Sequence, residues 1–478
     1  MKVVLISTPM DLASGPRLSA VHFPLNLGIL LAYIRQHGFE VELWDYNVEP
    51  FTEEGFTKRI KESNPGMVGI GAMTPAIKNA HRLATIAKMA SPHITTVIGG
   101  SHVSALTRET LEEFQNFDVA VHGEAEDTFV DLCTRIQNSQ PLAGCLGTAY
   151  RSNGSIVMEA PRPLIQDLDK LPFAARDLVN FENYRKAHVE RGISRKFMNV
   201  MEIMISRGCP AQCIFCVSGA GKGPEVRYRS LGNVMEEIKL CVENYGTNYI
   251  NISDDTFTLN KKFVEGFCDE MGKLGLQWGC FTRVDCVTKE LLQKMVSSGC
   301  IRVSFGVETG SQRVMQLNGK HVNLEKIRRV FKWAHEVKLR IIDASLIIGS
   351  HPDEDYEDVQ QTVEIIKEIK PTFYSVTVIV PLPGTMLYKK MRDEGLILAS
   401  DWDQFSYYGR LPSWRTYHFT SEDLVKLQKE VIRKTYFRPG YIFHLFTRVR
   451  SYNEFRYYAD IGLELFKTSV LKRNKLAA

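Results

Sequence analysis

At 478 residues the chain exceeds one typical domain and has room for two large ones plus an appendage. Its 44% hydrophobic and 24% charged residues are ordinary for a globular protein, and no run approaches the ~20 apolar residues of a membrane span, so none is expected. The net charge of +4 selects no partner by itself, but it is unevenly spread: residues 401–478 carry 14 Lys/Arg against 8 Asp/Glu.

Residues 1–140 alternate apolar strands with helical segments. Strands are predicted at 2–7, 40–44, 67–71, 95–98 and 117–121, with a strongly apolar helix over 25–36 and another over 76–89. Such alternation predicts an α/β domain, doubly wound and flavodoxin-like, with its ligand beyond the carboxyl ends of the strands. Those ends carry Met73-Thr74-Pro75, then Gly99-Gly100-Ser101-His102, then His122-Gly123-Glu124-Ala125-Glu126. Paired glycines let backbone approach a large flat ligand, or simply make a tight turn. No G-x-G-x-x-G follows the first strand, which disfavours a nicotinamide cofactor, whereas flavodoxin-like domains bind flavin or nothing.

Residues 141–195 read as a connector, with a β-hairpin at 148–158 around Ser152-Asn153-Gly154 and prolines at 161, 163 and 172. The most informative segment follows the next strand, predicted at 200–206: Arg207-Gly208-Cys209-Pro210-Ala211-Gln212-Cys213-Ile214-Phe215-Cys216. Three thiolates at C-x3-C-x2-C on one loop can ligate three irons of a 4Fe–4S cubane and leave the fourth open. Structural zinc usually asks for four protein ligands, and no second Cys or His pair lies nearby. A disulfide set does not suit a chain with no secretory signal and ten cysteines, none before Cys133; a reducing cytoplasm is expected. Cys133, Cys145, Cys241, Cys268, Cys280, Cys286 and Cys300 read mostly as core thiols.

Further strands are predicted at 248–253, 277–282, 301–305, 340–347 and 374–380, and a helix over 231–245 capped by Ser230. Six such units predict a partial (β/α)6 TIM-like barrel over 196–395, with its chemistry at the strands' carboxyl ends. There stand Asp254 and Asp255, able to bind a metal or cap the next helix; Arg283 with Asp285; and Glu308, which could also cap the helix begun at Ser311. His351 reads as a proton donor or as a solvated loop histidine. Residues 396–478 read as a small helical domain whose aromatic and basic segments, such as Phe455-Arg456-Tyr457-Tyr458, fit a cap on the barrel, a membrane-lipid surface or a nucleic-acid surface; the cap is the simplest, and no nucleic acid is expected.

The cysteine motif resembles that of the radical S-adenosylmethionine (SAM) superfamily, and residues 1–390 resemble its branch with an N-terminal cobalamin-binding domain. The resemblance rests also on Pro24-Leu25-Asn26-Leu27-Gly28, on the Gly-Gly-x-His segment and on the Gly-Glu-x-Glu segment. It implies a class B-like methylase: Cys209, Cys213 and Cys216 hold the cluster, and SAM is cleaved there to a 5′-deoxyadenosyl radical. An unactivated carbon of a small-molecule or lipid-like substrate is then methylated through methylcobalamin. Asp254, Asp255, Arg283 and Glu308 are implied at SAM, with Glu308 on the ribose. Thr74, Gly99, Gly100, Ser101, His102, Gly123 and Glu124 are implied at cobalamin, and Pro381-Leu382-Pro383-Gly384-Thr385 in the wall between the two cofactors. A one-electron donor such as flavodoxin or ferredoxin is implied as well. No D-x-H-x-x-G occurs, so cobalamin is expected base-off with no protein histidine on cobalt. Gly349-Ser350-His351-Pro352-Asp353-Glu354 departs from the family's shorter Gly-x-Pro-x-Glu. A cyclase, rearranging or oxidising enzyme with the same cofactors, or a non-catalytic corrinoid or iron–sulfur sensor, are the competing expectations.

Overall fold

The computed structural model describes residues 1–9, 21–185, 188–190, 193–194, 198–218, 225–406, 411–449 and 451–466. Five parallel strands begin the first sheet: β1 (Lys2–Ser7), β2 (Glu40–Asp45), β3 (Met67–Gly71), β4 (Thr95–Gly99) and β5 (Val119–Val121), in the order β2-β1-β3-β4-β5. Between them run α1 (Leu25–Gln36), α2 (Glu53–Ser63), α3 (Ile77–Ala90), α4 (Ser101–Ala105) and α5 (Thr107–Glu113), and α6 (Glu126–Gln137) follows β5. The strand period of two divides β1 between two cores. Val3 and Leu5 join α1 and α6 on one face, while Val4 and Ile6 join α2, α3 and α5 on the other.

The hairpin expected inside the connector belongs to this sheet. Its strands β6 (Thr148–Ser152) and β7 (Ser155–Met158) pair antiparallel beyond β5, so the edge of the parallel sheet is covered rather than left open.

The second sheet holds six parallel strands in sequential order: β8 (Val200–Ile203), β9 (Tyr249–Ile252), β10 (Gln277–Arg283), β11 (Cys300–Glu308), β12 (Ile341–Ile348) and β13 (Phe373–Val378). Helices α7 (Leu231–Tyr245), α8 (Lys261–Leu274), α9 (Lys289–Ser297), α10 (Leu324–Glu336) and α11 (Tyr356–Ile369) cover it as a partial (β/α)6 barrel. Each of these starts on a side-chain cap: Ser230, Asn260, Thr288, Asn323 and Asp355 accept a first-turn amide. The caps fix where each loop ends, and with it the carboxyl rim that carries the chemistry.

The strand predicted over 200–206 is broken. After β8, Ser206–Arg207 pairs antiparallel with Arg227–Tyr228 instead. The Asp254 carboxylate causes the turn, accepting the Ile205 amide at 2.7 Å and the Ser206 hydroxyl at 2.5 Å.

After α12 (Met386–Asp393), the chain continues into α13 (Ser421–Tyr436), α14 (Pro439–Phe446) and α15 (Tyr452–Phe466). The first of the last three is the expected cap: Leu424, Leu427 and Val431 are buried in the barrel core, as is Tyr441 of α14. No helix among the described residues is long and apolar enough to cross a membrane.

Candidate active site

The cysteine loop leaves the carboxyl end of the first barrel strand. Gly208 begins it with φ +101°, and any side chain there would run into the Glu225 carbonyl. Cys209 is buried, with Sγ 3.8 Å from the Thr256 hydroxyl, while Cys213 and Cys216 are half-buried. The Cys216 amide donates to the Cys213 carbonyl at 3.0 Å. The loop is pinned at its middle from two sides: the Ile214 amide donates to Asn318 O at 3.1 Å, and Ile214 O accepts the Leu387 amide at 2.9 Å.

Cations approach this loop. Arg283 Nη1 lies 3.8 Å from Cys213 Sγ, and its guanidinium is forked on Asp285 at 2.7 and 3.0 Å. Burial pushes the Cys213 thiol up, and the positive charges of Lys320 and Arg283 pull against that rise. Lys320 is itself buried and bonded to Glu308 at 2.9 Å and to Gly306 O at 2.6 Å. Glu308 sits at the end of β11 where the register with β12 shifts, and its φ is +67°. A non-glycine residue held left-handed at a bulge is a strained position that aims one side chain.

On the other side, the rim of the first sheet forms a cavity of about 520 Å³, within the range of small-molecule sites. Gly69, Gly71, Gly99, Gly100, Ser101, Gly123 and Glu124 supply its wall from the first domain, and Arg207, Val217, Ser218, Pro383 and Gly384 close it from the barrel. The wall therefore reaches the residues that directly follow Cys216. Gly100 has φ +111° and sits against the Ala72 carbonyl, where a side chain would collide.

Buried ion pairs lock the two rims together. Glu124 takes the Arg227 fork at 2.8 and 2.9 Å and Arg207 at 3.3 Å, and Glu126 takes Arg207 at 2.5 Å. Burial works against the Glu124 charge, but the Arg227 hydrogen bonds and the Arg207 charge hold its carboxyl below the usual range. Tyr184 of the connector is tied to the first sheet by a buried bond from its hydroxyl to Asp45 at 2.6 Å.

The comparisons with known proteins match this geometry. The B12-binding domain model matches residues 17–133, and the radical SAM superfamily model matches residues 203–381. A Pyrococcus horikoshii protein named uncharacterized methyltransferase PH0819 is 32% identical over 92% of this chain and 93% of its own. The chain belongs to the cobalamin-dependent radical SAM methyltransferase family. The family is not confined to one outcome: the anaerobic magnesium-protoporphyrin IX monomethyl ester cyclase of Rubrivivax gelatinosus is 27% identical over 84% of this chain and 72% of its own. In fold, the structure is similar to the methyltransferase TsrM from Kitasatospora setae, solved with cobalamin and a [4Fe-4S] cluster (TM-score 0.70, 15% identity, 92% of this chain and 89% of that one).

The residues present fit the family's three cofactors, a 4Fe–4S cluster, SAM and cobalamin. Among the described residues no three His, Cys, Asp or Glu side chains converge as on a single metal ion, and a cubane does not ask for that, because each thiolate takes its own iron. On the cavity wall Glu126 Oε2 is buried and, among the described residues, has no hydrogen-bond partner, so a ligand with amide donors would satisfy it.

The sequence-read residues fall into three groups. Gly99, Gly100, Ser101, Gly123 and Glu124 line the cavity, while Thr74 and His102 do not: they bond each other at 3.2 Å, and the His102 ring packs edge-on against Trp402 at 4.8 Å. Burial pushes His102 down to about 4, so it is neutral. Arg283 and Glu308 stand at the cysteine loop, and Asp255 accepts the Ser218 hydroxyl at 3.0 Å. Asp254 is turned inward on the Ile205–Ser206 turn, and burial pushes it up to about 6. The helix-capping alternatives are taken by other residues, Asn260 after Asp255 and Ser311 after Glu308. His351 is buried rather than solvated, its Nδ1 accepting the Asp353 amide at 3.1 Å. Arg207, Arg227 and Lys320 were not singled out from sequence. Only Arg207 had a local signal, its place two residues before the first cysteine.

Proposed function

We propose that the protein methylates an unactivated carbon of a small-molecule substrate held between the two rims. The observation that carries this reading is the shared cavity, whose wall runs from the glycine rim of the first sheet to Val217 and Ser218 beside the last cysteine. When bound, the cluster and SAM supply a hydrogen-abstracting radical and the corrinoid supplies the methyl group.

The chain's own residues bind, orient and exclude water. Cys209, Cys213 and Cys216 hold the cluster. Glu308, fixed by Lys320 and aimed by its bulge, accepts the ribose hydroxyls of SAM, and Asp255 with Arg283 borders the same ligand. Asp254 acts as a positioning residue by setting the turn from which the cysteine loop departs. Gly99, Gly100, Ser101 and Gly123 would give the corrinoid a wall free of large side chains. His102, neutral and committed to Thr74, would not be offered to a bound corrinoid as a ligand. The paired arginines and glutamates hold the rims together, which would help keep water from the bound cofactors. A one-electron donor such as flavodoxin or ferredoxin, and a reducing, oxygen-poor cytoplasm, complete the proposal.

The cyclase relative supports a second reading, in which the same cofactors rearrange or close a ring. Anaerobically reconstituted protein, given SAM carrying a labelled methyl group and a metabolite extract, separates the two. Label in a product together with 5′-deoxyadenosine is the result expected. An altered but unlabelled product with 5′-deoxyadenosine would favour the second reading, and absence of SAM cleavage would remove both.

A further inference from the structure

We propose that the outer face of α14 and α15 is a docking surface for an anionic lipid bilayer. The inference goes beyond the methyl-transfer reading and does not rest on it. Six of the sixteen large hydrophobic side chains that the described residues leave exposed fall within residues 442–463: Ile442, Phe443, Phe446, Tyr452, Phe455 and Leu463. Phe443 is 71% exposed, Phe446 57% and Tyr452 75%. The Phe446 and Phe455 rings meet across the two helices at 6.1 Å between centroids, which joins the exposed apolar side chains of α14 to those of α15. Monomeric proteins rarely leave such a patch uncovered.

The helix just before shows that the patch is no failed part of the cap. Along α13 the apolar stripe is buried in the barrel, and Tyr441 closes that contact with its hydroxyl on Thr372 O at 2.8 Å. From Ile442 onward most of the large apolar side chains turn outward, while Leu445 and Tyr458 still pack against the barrel.

Charge selects the occupant. Arg456 is exposed beside Phe455, and although α15 also carries Glu454, Asp460 and Glu464, residues 439–478 as a whole hold seven Lys/Arg against three Asp/Glu, four of those cations within residues 467–478. A symmetric contact with a second copy would bring like charges together, whereas an anionic headgroup layer meets both the aromatic rings and the cations.

The test is flotation of the full-length protein with vesicles of phosphatidylcholine alone and of equal phosphatidylcholine and phosphatidylglycerol. We expect recovery with the mixed vesicles only. Phe443→Ser/Phe446→Ser should lower the partition coefficient about tenfold or more with unchanged circular dichroism. A second variant, ending at Phe466, leaves every described helix in place and should also lose about tenfold, as should raising the salt from about 0.15 to about 0.5 M, which shortens the Debye length from about 8 to about 4 Å. Absence of flotation, equal flotation with both vesicle types, or a dimer abolished by the double substitution, which would assign the face to a second copy, each overturns the proposal.

Discussion

Replacing Arg207 by methionine tests how the two rims are held. Arg207 and Glu126 are 7% and 6% exposed in their side chains, and they join the barrel to the first domain. Removing the guanidinium strands a buried carboxylate, because Glu124 keeps Arg227 but Glu126 loses its cation. Breaking such a pair costs about 3–5 kcal/mol. The control has the same chemistry without the burial: Arg35 and Asp177 also bond at 2.6 Å, but their side chains are 45% and 57% exposed, so Arg35→Met should cost at most about 1 kcal/mol. In urea unfolding followed by tryptophan fluorescence, Arg207→Met should shift the transition far more than Arg35→Met. The double variant Arg207→Met/Glu126→Leu should recover most of the loss, since no unpaired carboxylate is left buried at position 126 and Glu124 keeps Arg227. Equal shifts for the two arginines, or a double variant worse than Arg207→Met, would refute the claim that burial of this pair holds the interface.

Gly71→Leu should fill the cavity beside Leu27; the purified protein then carries its iron but less corrinoid by absorption, and full corrinoid content would show that this wall does not face the macrocycle. Glu308→Gln keeps the shape but loses the Lys320 ion pair and should weaken SAM binding by about tenfold in equilibrium dialysis, consistent with the loss of one charged hydrogen bond. Burial pushes the Glu354 carboxyl up to about 8 from an ordinary 4.5, so between those pH values the folded protein holds more protons than the unfolded chain. Its contribution is whole below about 4.5 and is lost as pH rises through about 8. Glu354→Gln should therefore flatten the fall in melting temperature between pH 5 and 8, and an unchanged slope would contradict the burial argument.

Much of the fold was legible because both domains follow simple periodic rules. Leu25–Gln36 and Leu231–Tyr245 carry an apolar face or a cap-and-glycine frame that local reading detects, and both helices have the bounds predicted. Local reading failed where a distant residue decides the backbone. The break after Ile203 depends on Asp254, about fifty residues later, and nothing in the strand itself announces it. The bulge at Glu308 likewise extends β11 beyond its predicted end, and Lys320 arrives from the next loop to satisfy it. The cysteine loop was legible by spacing alone, whereas Arg227 and the clamp with Glu124 were not, since a lone arginine carries no sequence signature of its partner. In the tail, composition could not separate a cap from an exposed surface. The structure uses α13 for the first and the outer face of α14 and α15 for the second.

The central claim is that one cavity brings a corrinoid to a cluster with an open iron. Its most direct test is anaerobic purification with iron, sulfide and corrinoid measured on the same sample, followed by addition of SAM and a one-electron reductant. The account predicts about four irons and one corrinoid per chain, 5′-deoxyadenosine on reduction, and loss of iron and of SAM cleavage in Cys213→Ala with the fold retained. A chain that takes up neither cofactor, or a Cys213→Ala protein that still cleaves SAM, would contradict it.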